Sequence, residues 1–131
     1  MKLIDTSFWV ALMLKKDRHH QDAQRLWQQD PGPILCTNHV TGETWTFLRR
    51  RAGHVSAVHF LEAVEASNRV IPFHVPEAIE EEARHWLRRH DEREFSFVDA
   101  VSFAVMRNQH LNEALAFDGD FTSAGFIEIR P

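Results

Sequence analysis

The chain has 131 residues, enough for one hydrophobic core and too few for two comfortable ones, so a single domain over 1–131 is expected. Its formal charge of −4 excludes a protein that coats nucleic acid nonspecifically, because such binding rests on neutralising many phosphates. Cys36 is the only cysteine, which excludes an internal disulfide and a thiolate zinc cluster and fits a reducing, cytoplasmic home.

Lys2 ahead of the apolar run from Phe8 to Leu14 imitates a secretory leader, but Asp5, Thr6 and Ser7 interrupt it. No stretch approaches spanning length, so no membrane association is expected. Leu3 to Asp5 reads as a first strand, followed by a buried helix from Ser7 to Leu14 and an amphipathic one from about His19 to Gln29, which Pro31, Gly32 and Pro33 end. Ile34 to Thr37 is a second strand. A helix from about His39 to Arg51 follows, with Gly53 at the position that favours a left-handed cap. The next helix, His54 to Ser67, places Val55, Val58, Leu61 and Val64 on one side, and Val70 to His74 is a third strand.

Pro76 opens a helix whose acidic start (Glu77, Glu80, Glu81, Glu82) and basic end (Arg84, Arg88, Arg89) both suit the helix dipole. The helix from Phe97 to Asn108 is apolar nearly all round. Ala114 to Phe117 and Phe126 to Ile129 read as the last two strands. This alternation predicts an α/β protein, a mostly parallel sheet with helices on both faces.

Four acids fall where such a sheet places ligands, beyond the carboxyl ends of its strands. Asp5 ends the first strand and Asp118 the fourth. Glu43 lies one turn into the helix after the second strand, and Asp99 in the first turn of the apolar helix. Each has an ordinary alternative. Asp5-Thr6-Ser7 also fits a helix cap, Ser96 and Asp99 have capping-box spacing, Asp118-Gly119-Asp120 also fits a turn, and Glu43 also fits an exposed helix edge.

Together they imply more than singly. Two like charges ~4 Å apart repel by about 4 kcal/mol at an effective dielectric of 20, so several such pairs call for a cation. Oxygen ligands without cysteine point to a hard ion, Mg²⁺ or Mn²⁺, and to a site with room for a substrate phosphate. The nine histidines lack the three- or four-residue spacing that sets two imidazoles on one helical face, and are assigned to surface or capping roles. Two basic groups, Lys15-Lys16-Arg18 and Arg49-Arg50-Arg51, fit either contacts to an anionic substrate or ordinary solvated surface.

Met1 to Ser7, the helical Glu43, Ser96-Phe97-Val98-Asp99-Ala100 and Ala116-Phe117-Asp118-Gly119-Asp120-Phe121 resemble the PIN-domain ribonucleases, and more closely the VapC-type toxins of prokaryotic toxin–antitoxin pairs. The resemblance spans essentially the whole chain. It implies a three-layer α/β/α sandwich, Mg²⁺-dependent cleavage of RNA, homodimerisation and inhibition by a cognate antitoxin. By position it makes Asp5, Asp99 and Asp118 metal ligands and adds Glu43 to the catalytic set. Thr6, Ser7, Ser96 and Asp120 are expected to support the site, and Arg50 with Arg49 and Arg51 to contact the RNA backbone. Whether Asp118 or Asp120 faces the metal stays open. Gly42, inside a helix, marks either a close backbone approach or a later helix start.

Two other classes compete. A phosphoacceptor or phosphatase on a related sheet would also gather aspartates at strand ends, but the last lysine is Lys16 and Ser7 stands two residues after Asp5, where such enzymes need a second Asp. A catalytically idle RNA- or protein-binding module is the other.

Overall fold

The computed structural model describes residues 1–131. In chain order the elements are β1 (Lys2–Ile4), α1 (Thr6–Met13), α2 (His20–Gln29), β2 (Ile34–Thr37), α3 (Asn38–Ala52), α4 (His54–Ala66), β3 (Val70–Phe73), α5 (Glu77–Arg89), α6 (Phe97–Asn108), β4 (Glu113–Leu115), α7 (Asp120–Ser123) and β5 (Ile127–Glu128).

The five strands form one sheet in the order β3-β2-β1-β4-β5, and every pairing is parallel. Successive strand residues point to opposite faces, and here both faces are apolar. Leu3, Leu35, Ala114 and Ala116 enter one core with α5, α6 and α7, whereas Ile4, Ile34, Cys36, Leu115 and Phe117 enter a second with α1 to α4. The result is the three-layer α/β/α sandwich, with helices covering the backbone of a fully parallel sheet. Pro72 is tolerated because β3 is an edge strand.

Strand order decides where a ligand can sit. From β1 the chain steps outward through β2 and β3, then returns to lay β4 on the other side of β1. The reversal opens a crevice at the carboxyl ends of β1 and β4, the switch point at which open parallel sheets bind ligands.

Several boundaries differ from the sequence reading. The first strand stops at Ile4, and Asp5 instead caps α1. Strand β4 is Glu113–Leu115, which leaves Phe117 and Asp118 in the loop beyond it, and the short helix α7 was not foreseen. In α4 the buried residues are Ala57 and Phe60, with Leu61 and Val64 of the expected stripe packed beside them, while Val55 is 83% exposed, so the inward face is shifted from the stripe and not opposite to it. Gly53 has φ 97° and ψ 174°, a positive φ but an extended ψ, because it links α3 directly to α4 instead of closing a helix with a left-handed turn. Helix α3 begins at Asn38, capped by the Thr37 hydroxyl, which accepts from the Val40 amide at 3.1 Å. Gly42 therefore marks no late start, and open space lies where its side chain would be, so it marks no close approach either.

Helix α6 is buried at every residue from Asp99 to Met106. Its central ring, Phe103, is fully buried, with the rings of Trp86, Phe95, Phe121 and Phe126 centred 5.0 to 5.7 Å away. Replacing Phe103 by Ala should destabilise the protein by about 3–5 kcal/mol through lost burial and a residual cavity. Urea unfolding checks this: the midpoint should fall with an unchanged slope.

Candidate metal centre

Asp5 follows the central strand. Its amide still donates to Leu115 O at 3.0 Å, extending the pairing with β4, while its side chain turns to cap α1. Asp5 Oδ2 accepts from the Ser7 amide at 3.1 Å and the Ser7 hydroxyl at 2.6 Å. That hydroxyl in turn accepts from the Phe117 amide at 3.0 Å, so Ser7 ties the end of β1 to the segment that carries Asp118.

Asp99 arrives from the other layer. The Ser96 hydroxyl accepts from the Asp99 amide at 2.9 Å and Asp99 Oδ2 accepts from the Ser96 amide at 3.0 Å, a complete capping box. The box occupies Oδ2 with one bond and names no partner for Oδ1. Capping and ligand roles, which stood as alternatives, are thus compatible in Asp99, and the same holds for Asp5.

Asp118 sits in the turn after β4, its Oδ1 accepting from the Asp120 amide at 3.1 Å. Gly119 supplies the left-handed conformation the turn needs, at φ 83° and ψ −8°. The buried Glu128 carboxylate braces the turn, accepting from the Gly119 amide at 3.2 Å and the Thr122 amide at 3.0 Å. Arg130 pairs with Glu128 at 3.0 Å and donates to Ala116 O at 2.8 Å. Asp120 is engaged elsewhere: the Arg93 guanidinium holds its Oδ1 at 2.8 Å and also reaches Asp118 O at 3.4 Å.

One ligand oxygen from each of Asp5, Asp99 and Asp118 lies within 4.8 Å of the others. Asp5 is 2% exposed and Asp99 7%, whereas Asp118 opens to solvent. Crowding and burial disfavour ionisation. The Asp5 carboxyl is pushed up to about 8, first by burial and then by the charge of Asp118, against the pull of the Ser7 hydrogen bonds. Asp99 is raised to about 6, again mainly by burial, with the charges of Asp120 and Asp118 adding to it. Asp118 is raised as well, by burial foremost. Either protons or a cation must relieve such a cluster, and an all-oxygen donor set fits a hard divalent ion.

The three acids line a cavity of about 480 Å³. Glu43 lines it too, from α3, but stands outside the tight cluster. Thr6, Ser7, Ser96 and Asp120 also contribute to its wall. Arg50 and Arg51 border an adjoining groove with Glu43, while Arg49 lies off both walls because it projects from another side of α3.

Several wall residues were missed, His19 and Phe47 among them. His19 does stand at the N-cap of α2, but its side chain makes no cap bond: its ring stacks on Phe117, centroids 4.5 Å apart and planes 4° from parallel, and it lines the acid cavity. Phe47 lines it as well. Histidine spacing carried no signal for the first, since its partner is 98 positions away in sequence; a signal for the second existed in its place one turn after Glu43.

No helix is long and apolar enough to cross a membrane. Comparison with known proteins agrees with this geometry. Two Mycobacterium tuberculosis proteins named 23S rRNA-specific endonuclease VapC20, from two strains, are each 53% identical to the chain over 131 residues, covering 100% of it and 99% of the relative. The crystal structure of Mycobacterium tuberculosis VapC20, described as a sarcin–ricin loop cleaving toxin, superposes with a TM-score of 0.95 at 52% identity over 100% of both chains. A toxin–antitoxin complex from Klebsiella pneumoniae shares the fold at a TM-score of 0.64 and 14% identity, over 87% of this chain and 83% of that one. The family described as PIN domain matches residues 2–127, and with the acids assembled at the switch point of its sheet the chain belongs to the PIN-domain family.

Proposed function

We propose that this chain is a metal-dependent endoribonuclease, one domain in extent, that acts as the toxin of a toxin–antitoxin pair. The convergence of Asp5, Asp99 and Asp118 carries the reading, since three carboxylates within 4.8 Å, two of them buried and one open to solvent, form a site for a divalent cation. Asp5, Asp99 and Asp118 would hold Mg²⁺ or Mn²⁺. When bound, such an ion supplies charge neutralisation for the scissile phosphate and lowers the pKa of water.

The protein's own residues do the rest. Ser7 and Ser96 orient two of the ligands through the hydrogen bonds that cap α1 and α6. Glu43, on the cavity wall and apart from the cluster, is the carboxylate placed to orient the attacking water and accept its proton. Arg50 and Arg51, beside Glu43 in the adjoining groove, meet the RNA backbone. Attack by water on phosphorus leaves a 5′-phosphate and a 3′-hydroxyl. Asp120, paired with Arg93 through Oδ1, braces the loop from the cavity wall, and Asp118 is the acid of the two that joins the cluster. The likeness to VapC20 makes the sarcin–ricin loop of 23S rRNA the substrate to test first, in the cytoplasm, with the toxin working as a homodimer restrained by an antitoxin.

Asp5→Asn and Asp99→Asn should each lower Mn²⁺-dependent cleavage of a sarcin–ricin hairpin by on the order of 10²–10³-fold. Asparagine keeps the capping oxygen, so circular dichroism should stay that of the folded protein. Wild-type rates in either variant would refute the assignment. Excess chelator should abolish cleavage, and Mg²⁺ or Mn²⁺ restore it.

A pH dependence follows from the raised carboxyls. Unfolded, these aspartates ionise near 4; folded and metal-free, Asp99 and Asp5 keep their protons to about 6 and about 8. Between those limits the folded state binds more protons than the unfolded one, so stability falls as pH rises. The contribution is complete below about pH 4 and is lost through pH 8. The melting temperature of chelator-treated protein should therefore drop from pH 5 to pH 8, Asp5→Asn should flatten that slope, and Mn²⁺ should raise the melting temperature more at pH 8 than at pH 5.

A further inference from the structure

Phe47 is a half-buried ring on α3, and three neighbouring cavities share it as a wall: the acid cavity, the groove of Glu43 and Arg50, and a third cavity of about 340 Å³ on its far side. The third cavity has an apolar floor, Val10, Leu14 and Phe47, and a basic rim, Lys15, Lys16 and Arg51. Its size falls at the lower end of ligand pockets, about 300–1,000 Å³.

The rim is unusual for this chain. Acids outnumber bases by 19 to 15, yet none of the seven ion pairs uses Lys15, Lys16 or Arg51. The Arg51 guanidinium lies 5.0 Å over the Phe47 ring, held by its π face and not by a carboxylate. Asp17, the one acid on the rim, already accepts from the His19 amide at 2.9 Å. An apolar slot walled by an aromatic ring and rimmed by unpaired cations matches a planar base bearing a phosphate. Val10, Asp17 and Phe47 border both this cavity and the acid cavity, which places such a base next to the bond being cut.

We propose that this third cavity is a nucleobase subsite for a nucleotide flanking the scissile phosphate, with the base against Val10, Leu14 and Phe47 and its phosphate met by Lys15, Lys16 and Arg51. The proposal rests on the ribonuclease reading and adds where the neighbouring nucleotide goes.

The test uses the Asp99→Asn protein in excess chelator, conditions expected to leave RNA uncut, and a fluorescent hairpin of the 23S sarcin–ricin sequence, with a series of hairpins each carrying one abasic nucleotide in the loop. One abasic position should raise Kd by roughly five- to a hundredfold, the range for loss of a stacked base. Adding Phe47→Ala should remove that position's extra penalty, because both changes delete the same contact. Phe47→Leu, which keeps apolar volume in the fold, should do the same. Lys15→Gln with Lys16→Gln should weaken binding and reduce the slope of log Kd against log salt by about 1 to 2.

Abasic penalties that are the same with and without Phe47, or a salt slope untouched by the lysine changes, overturn the subsite, as does a hairpin Kd that responds to none of these substitutions while the cavity instead captures a protein segment. Cleavage by the wild-type protein with Mn²⁺, run in parallel on the unmodified hairpin, reports on the ribonuclease reading alone: its absence sinks that reading, and its presence with an unchanged Kd pattern sinks only the subsite.

Discussion

Mutual repulsion among Asp5, Asp99 and Asp118 is the constraint around which the molecule is organised. At an effective dielectric of 20, two unit charges at such separations oppose each other by about 3–4 kcal/mol, and burial adds a desolvation cost. A chain free to relax would separate them. They stay together because each is fastened to an element that cannot move independently: Asp5 to the central strand, Asp99 to a helix buried along its length, and Asp118 to the turn that leaves β4. Two apolar cores, one on each face of the sheet, supply the opposing stabilisation.

The fastening is built from hydrogen bonds that serve local structure and site together. Caps on α1 and α6 are ordinary helix starts, yet the capping carboxylates are those of the cluster. Ser7 couples the strand that leads to Asp5 to the loop that carries Asp118, linking positions 110 residues apart. Glu128 and Arg130 perform the same service for that loop from its far side, and Arg93 pairs with Asp120, whose charge still raises Asp99 and Asp118. The strain of the site is thereby distributed over groups that look, taken singly, like turn and cap chemistry.

Much of this was legible in the chain. Alternating apolar runs and helical stretches announced a parallel sheet covered on both faces, β2 and α6 were bounded correctly, and Ser96 with Asp99 had the spacing of the capping box that forms. The acids could be ordered along the chain and assigned to one end of the sheet. Less legible were features whose cause is non-local. The valine stripe of α4 identified Leu61 and Val64, which pack against the core, but Val55 is exposed and the fully buried residues are Ala57 and Phe60. Asp118 and Asp120 are alike in sequence, and their surroundings differ only in the fold, where Arg93 pairs with the Asp120 carboxylate and Asp118 joins the cluster. His19 had no sequence partner at all, since its stacking on Phe117 exists only once the α1–α2 loop folds over the end of β4.

By itself, the amino-acid sequence determined the class of fold and the inventory of acids, because hydrophobic period and capping spacing are properties of neighbouring residues. Only the tertiary structure decided that three of those acids meet within 4.8 Å while Glu43 stands apart, and that Phe47 lines both the acid cavity and a basic one. The reason is physical: strand order, which sets those distances, arises from how two cores close around the sheet, and no local pattern encodes it.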